Sequence, residues 1–418
     1  MLELTPSAAR AARCRAQLLT AKDRAADPVS AMRHMLAMQA QNAKAARWAV
    51  GIRTKSAKYS DVQAALESGA LIRTWPMRGT HHVMAAEDVS WLTGLCSHRA
   101  RSGVEKRRAA LGLTLDDVLR AGAALVEATT DPDRLPEHVA EKAIPFVGPR
   151  GAAVALTRDG VRELWATVGI DSSSSRGSHM LRFLCEERVL VQGSPVGTAD
   201  TFTAFEAWVP AAEGGADEAE TDELLRRLVV KHLRGRGPAK VSDIAWWSGH
   251  TREAIARGVA AADDGADDVE TDELLRRLVV KHLRGRGPAK VSDIAWWSGH
   301  TNATIRRAVA IAGDAVAEAS VAGERYLMLA DDAEIAAANP KARPPRGPVL
   351  LPAFDEYLMG YGDRTLVLDK EAEPELFALI GPTINGLVNR ATMKAGRIVD
   401  TWDDDHPAAS DYRRFAGR

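Results

Sequence analysis

Two glutamines one residue apart, Gln39-Ala40-Gln41, are where chemistry in this chain has to start. Two neutral amides cannot serve as a strong acid or base. They can hold a water and stabilise a developing positive charge through their carbonyl dipoles. If they are catalytic, the departing group must already be activated. If they are structural, capping or bridging buried backbone groups, the chain is a binding protein with no chemistry at this point. Roughly thirty residues further on comes Arg73-Thr74-Trp75-Pro76-Met77-Arg78-Gly79-Thr80-His81-His82. Arg73 and Arg78 carry the guanidinium fork that suits phosphate. His81 and His82 alternate in a predicted strand, so one faces a core and the other a cleft, and both are candidate DNA contacts. Trp75 reads as core and Gly79 as a turn residue.

The elements that must position these groups are legible. Asp27 is a predicted N-cap and Pro28 suits the first helical position. Met32, Met35, Leu36 and Gln39 then recur at helical spacing, which predicts a helix over 27–41 with Gln39 on its apolar stripe. Ser60-Asp61-Val62-Gln63 reads as a capping box opening a short helix that Gly69 stops. Strands are expected over 71–75 and 80–84, with a helix from Glu87 or Asp88 to Leu95. Helix, helix, helix, hairpin is the order of a winged helix. Lys44 and Arg47 flank the glutamines and can steer a nucleic-acid backbone toward them. The run Arg99, Arg101, Lys106, Arg107, Arg108 reads as a phosphate-contacting surface.

A second block spans 113–212, with helices expected over 115–129, 158–168 and 179–187 and strands over 189–193 and 201–209. The third, 213–338, holds an exact repetition: residues 220–251 and 270–301 are identical over 32 positions, offset by 50. Natural repeats diverge, so this is a recent duplication or an assembly error. Each copy reads as helix, Gly-Pro turn, then a helix bearing a Trp-Trp pair, which reads as core. Only the second is followed by a plausible wing, 316–330, so only one copy is expected to complete a third winged helix. Arg284 and Arg286, duplicates of Arg234 and Arg236, lie where a helix-turn-helix meets phosphates. A linker rich in Pro, Arg and Lys then leads to a small β-containing region, 339–418, with strands over 349–361 and 397–402 and a loosely held end, 406–418. The expected fold class is α+β, mainly helical: tandem winged-helix domains, 1–112, 113–212 and 213–338, with that small C-terminal region.

Bulk properties narrow the function classes. A charged fraction of 27% beside 46% hydrophobic residues is that of a globular protein, and no apolar run approaches the roughly 20 residues a membrane span needs. The first residues lack a basic region followed by an apolar core, so no signal peptide is expected and a cytoplasmic location is. The three cysteines, Cys14, Cys96 and Cys185, form no close pair and read as buried thiols, with no metal site. The net charge of −1 hides an asymmetry: residues 1–110 contain 18 Lys+Arg against 8 Asp+Glu. A basic N-terminal third is the electrostatic footprint of a polyanion partner.

The glutamine motif after a Met/Leu-rich helix, RTWPMRGTHH, a VQG…WVP second wing, the AWWSG helix and LLPAFDEYLMGYGDR together resemble the AlkZ/YcaQ-type winged-helix DNA glycosylases, from about Ala8 to Trp402. The resemblance implies tandem winged helices forming a concave face for double-stranded DNA, and excision of alkylated purines, with unhooking of interstrand crosslinks in some members. The family's catalytic motif is Gln-x-Gln in the AlkZ-like branch, which makes Gln39 and Gln41 the implied catalytic residues, Gln41 as main water-positioning group and Gln39 as its partner. An N7-alkylated purine carries a formal positive charge and leaves readily, so a carboxylate is not mandatory. Asp355, Glu356 and Asp363 then belong to architecture. The expectation is a monomeric, monofunctional glycosylase without metal or organic cofactor, nucleoid-associated when bound to DNA. Two features depart from the family pattern: the duplication, and the acid-rich stretch Asp400, Asp403, Asp404, Asp405. The competing reading is a non-catalytic winged-helix transcriptional regulator. It predicts a symmetric dimer on two half-sites, and no heptad or other dimerisation element is visible.

Overall fold

The computed structural model describes residues 1–55, 57–97, 104–210, 266–380 and 388–416, together with Val241, Arg252, Ala256 and Arg257. Arg99 and Arg101 lie outside the described residues, as does the first repeat copy apart from Val241. The chain divides into two compact units, one of Met1–Pro210 with Leu278–Arg418 and one of Ala211–Arg277. The first unit holds both glutamines and the hairpin after them.

Thirteen short strands occur among the described residues: β1 (Leu2–Leu4), β2 (Ala37–Gln39), β3 (Leu71–Met77), β4 (Thr80–Ala85), β5 (Ala143–Gly148), β6 (Gly151–Thr157), β7 (Leu190–Gln192), β8 (Thr201–Ala204), β9 (Val316–Val321), β10 (Glu324–Leu329), β11 (Val349–Leu351), β12 (Ala391–Lys394) and β13 (Arg397–Thr401). They form four sheets, ordered β2-β4-β3, β5-β6-β8-β7, β1-β9-β10 and β11-β12-β13.

The sheet carrying Gln39 departs from the sequence expectation. The helix expected over 27–41 ends at Met35, and Gln39 sits on a strand. Asp27 does cap it, accepting from Ser30 N at 2.8 Å. Leu36 then takes φ +67°, a conformation that breaks the helix for any L-residue. The spacing misled because Met35, Leu36, Ala37, Met38 and Gln39 are all buried, so the run fits either period. β2 pairs antiparallel with β4, setting Ala37 opposite Met84, Met38 opposite Val83 and Gln39 opposite His82. β3 and β4 are joined by Arg78-Gly79, with φ +53° and +66°, between the pair Met77 and Thr80. Two positive φ angles are what a type I′ hairpin turn requires. Gly79 adopts this freely, whereas Arg78 carries a cost of about 1–2 kcal/mol.

One hydrophobic core runs from Leu4 to Phe415 and draws on the N-terminal helix Pro6–Ala16, β2 to β4, β9 and β10, and the C-terminal sheet. β1 joins β9 in parallel, with Leu2 opposite Ala319. A second core holds Trp75 with Leu113 to Phe202. The end of the chain is not loosely held: Ser410–Phe415 is a helix, and the Phe415 ring lies 5.1 Å from that of Trp48. A Cβ on Gly51 would come within 2.4 Å of the Phe415 ring, so any side chain there would displace that ring. Three further differences are local. β5 and β6 form a hairpin that the sequence did not signal, the strand expected over 201–209 yields at Ala204 to a helical turn Phe205–Trp208, and that over 349–361 stops at Leu351 before Glu356–Met359. The second repeat copy supplies the helices Ala266–Arg286 and Val291–Ser298, followed by β9 and β10. All three cysteines are buried.

Candidate active site

Gln39 is 6% exposed, and its position is set by its backbone. Its N–H donates to Glu356 Oε1 at 3.1 Å. Glu356 Oε2 accepts from Arg286 Nε at 3.2 Å, both side chains being fully buried. Arg286 also donates to the carbonyls of Met35, at 2.7 Å, and Ala37. Arg286 is therefore not a phosphate contact. Its fork is spent on the two carbonyls that the break at Leu36 leaves unpaired and on the carboxylate that holds Gln39. Neighbouring Arg53 and Asp355 form a second fully buried pair at 2.8 Å. Asp355 and Glu356 thus serve as supports for the first block.

Gln41 is exposed, and its carbonyl oxygen is fixed. Gln41 Oε1 accepts from His81 N at 2.9 Å and from His81 Nδ1 at 2.7 Å. A backbone N–H can only donate, so the bond to it settles the amide orientation without a tautomer choice. His81 Nδ1 must then carry the proton, leaving Nε2 to accept from Gln192 Nε2 at 3.1 Å. Burial, with the charges of Arg73 and Arg158, pushes the His81 imidazole down to about 2, so the ring is neutral. It lies against the Trp75 ring, tilted by 36°, with centroids 3.8 Å apart. His82 is fully buried on the opposite side of the strand, so it is not the DNA contact expected of it, and burial holds its pKa well below the usual value.

The two amides consequently offer different groups. Both lone pairs of Gln41 Oε1 are taken, so its free function is the Nε2 donor pair. Gln39 Oε1 has a 3.5 Å contact with Arg78 Nη2, too long for a firm bond, and remains an acceptor. Gln39 thus keeps a free acceptor, on the side of the strand with His82 and Arg78, and Gln41 a free donor, beside His81.

The remaining basic residues divide sharply. Arg73 donates to Ala40 O at 2.8 Å and pairs with Asp200, which Arg158 also engages at 3.0 Å. It braces the backbone between the glutamines and is not free for phosphate. Arg47 is 2% exposed and is consumed by Gln63 Oε1 and the carbonyls of Ala43 and Gly197, so it ties the first block to the second instead of contacting DNA. Lys44, Arg107 and Arg284 are exposed. Arg78 lies over the Trp296 ring at 4.4 Å. An open cleft of about 690 Å³ adjoins Gln41, lined by Lys44, Arg73, Arg158, Asp159 and Asp200. Sequence reasoning missed Arg158, Asp200 and Gln192, which come from the second block and had no local signal. Among the described residues no cluster of His, Cys, Asp or Glu could hold a metal, and no helix is long and apolar enough to cross a membrane.

The family described as DNA glycosylase AlkZ-like matches residues 32–269 and again 260–405. The first match takes in the first copy of the repeated segment and the second match the second copy. Among solved structures, the Streptomyces sahachiroi DNA glycosylase AlkZ has the same fold, with a TM-score of 0.64 at 20% identity over 97% of this chain and 89% of that one. The comparison with curated proteins gave no match.

Proposed function

The chain belongs to the AlkZ-like DNA glycosylase family, and on that premise we propose that it hydrolyses the N-glycosidic bond of cationic N7-alkylated purines in duplex DNA, including those in interstrand crosslinks. The observation that carries this reading is the unlike pair of free groups at Gln39 and Gln41. A water accepting from Gln41 Nε2 and donating to Gln39 Oε1 keeps a lone pair for attack on the anomeric carbon. The base departs as a neutral purine, so its positive charge passes to the sugar as the bond breaks. The Gln39 carbonyl dipole stabilises that charge and accepts the water's proton in a hydrogen bond. Neither amide can protonate the departing base, which confines the enzyme to leaving groups that need no protonation, and the attacking water's proton passes to solvent as the new C–O bond forms.

On the same reading the protein acts as a monomer on nucleoid DNA in the cytoplasm, its four sequence blocks being tandem winged helices and a C-terminal region, with no cofactor. Lys44 and Arg107 meet phosphates. The reaction stops at the abasic site. Product analysis tests this: free N7-methylguanine released from a defined duplex, with the strand intact until alkali treatment and no protein–DNA adduct trapped by borohydride. Strand scission without alkali, or a trapped adduct, would assign a lyase step to Lys44 instead.

A further inference from the structure

The two adjacent tryptophans of helix Val291–Ser298 have opposite environments. Trp297 is fully buried, whereas Trp296 is 37% exposed and is the one aromatic among the exposed large hydrophobic side chains of the described residues. Arginines flank its indole: Arg78 Cζ lies 4.4 Å from the ring centroid and Arg364 Cζ 5.8 Å. The pyrrole side packs against Gly362. Arg78 also connects this indole to the glutamines, since its Nη2 lies 3.5 Å from Gln39 Oε1. Its Nε is buried and has no partner, and it forms no ion pair with a carboxylate among the described residues. Burial lowers its pKa to about 10, still charged at neutral pH. The left-handed backbone at Arg78 holds the guanidinium in this place.

A part-exposed indole, one guanidinium away from Gln39 and flanked by two cations, is a site for a flat acceptor-bearing ring. We propose that Trp296 is the stacking surface for the purine being released, with Arg78 bonding an acceptor on that base. This rests on the glycosylase reading and deepens it, because the site becomes incomplete without one copy of the repeated segment. Stacking of one base on such an indole is worth about 1–3 kcal/mol.

The test uses the full chain with Trp246 and Trp296 replaced together, both to Phe and both to Ala, so that neither identical copy can supply the indole. The probe is a duplex whose N7-methylguanine carries a 2′-fluoro sugar that slows cleavage, beside the same duplex with an abasic analogue at that position. Parent fluorescence should be quenched by the first duplex and not by the second, and the double Phe variant should lose the quench. The double Ala variant should bind the lesion duplex roughly 5- to 150-fold more weakly, the 1–3 kcal/mol of one stacked base at 1.4 kcal/mol per tenfold, with the Phe variant near the parent. Equal quenching by the abasic duplex, or parental affinity in the Ala variant, overturns the assignment. Should the Ala variant fail to fold, the Phe variant's quench decides. If the parent quenches yet releases no base from ordinary N7-methylguanine, the glycosylase reading fails and the stacking surface stands.

Discussion

Replacing Glu356 with glutamine should damage the fold and the site together. Glu356 uses both oxygens, one for Gln39 N at 3.1 Å and the other for Arg286 Nε at 3.2 Å. A glutamine has the same shape but only one acceptor, so whichever way it turns its NH2 group faces a donor. If it turns from Gln39, the loss is an unmade buried hydrogen bond, about 1–3 kcal/mol. If it turns from Arg286, the guanidinium also loses its nearest acceptor. In both cases the negative charge is gone and Arg286 is left as an uncompensated buried cation, which costs about 3–5 kcal/mol. Both side chains have no solvent exposure, so screening does not reduce this. Against a usual total of about 5–15 kcal/mol, the variant should unfold at markedly lower urea in tryptophan-monitored denaturation. Its single-turnover base release should also fall by more than the folded fraction explains, because the strand carrying Gln39 has lost its anchor. A variant within about 1 kcal/mol of the parent, with equal turnover, would refute the role given to this pair.

Three other outcomes are expected. Between pH 6.5 and about 8 stability should be flat, and below 6.5 it should fall, because His81, His82 and His282 are all held below the ordinary histidine value by burial. The unfolded chain binds protons at pH 6.5 that His81 in the fold refuses until about 2, giving a slope of about 1.4 kcal/mol per pH unit per histidine; an unchanged or higher urea midpoint at pH 5.5 would contradict this. His81→Ala removes one of the two donors to Gln41 Oε1 and should slow base release by about 2- to 10-fold, the worth of one hydrogen bond, with duplex affinity retained; a large affinity loss at unchanged rate would make His81 a DNA contact. Lys44→Ala should reduce the slope of log affinity against log salt by about one without altering lesion preference, and an unchanged slope would remove Lys44 from the DNA surface.

Much of the local structure was legible because it depends on neighbours in sequence. The cap at Asp27, Gly79 as a turn residue and the β3–β4 hairpin all follow from residues within a few positions. The placement of Gln39 was not, since a wholly buried run has no period and the strand is specified from 251 and 317 residues away by Arg286 and Glu356. Arginine roles were the weakest part for the same reason. Sequence shows a cation but not its partner, and Arg47, Arg73 and Arg286 proved to be spent inside the fold. Trp296 and Trp297 share a composition and a helix, yet only packing tells that one is core and the other open.

The central claim is that Gln39 and Gln41 together position the water that releases the base. The most direct measurement is single-turnover excision from a duplex carrying one N7-methylguanine, comparing the parent with Gln39→Ala, Gln41→Ala and the double variant, with duplex affinity measured alongside. The account predicts free base from the parent, loss of release in the double variant at similar affinity, and a substantial rate loss in each single variant, because the acceptor and the donor are not interchangeable. Undiminished release by the double variant would contradict it and return both glutamines to a structural role.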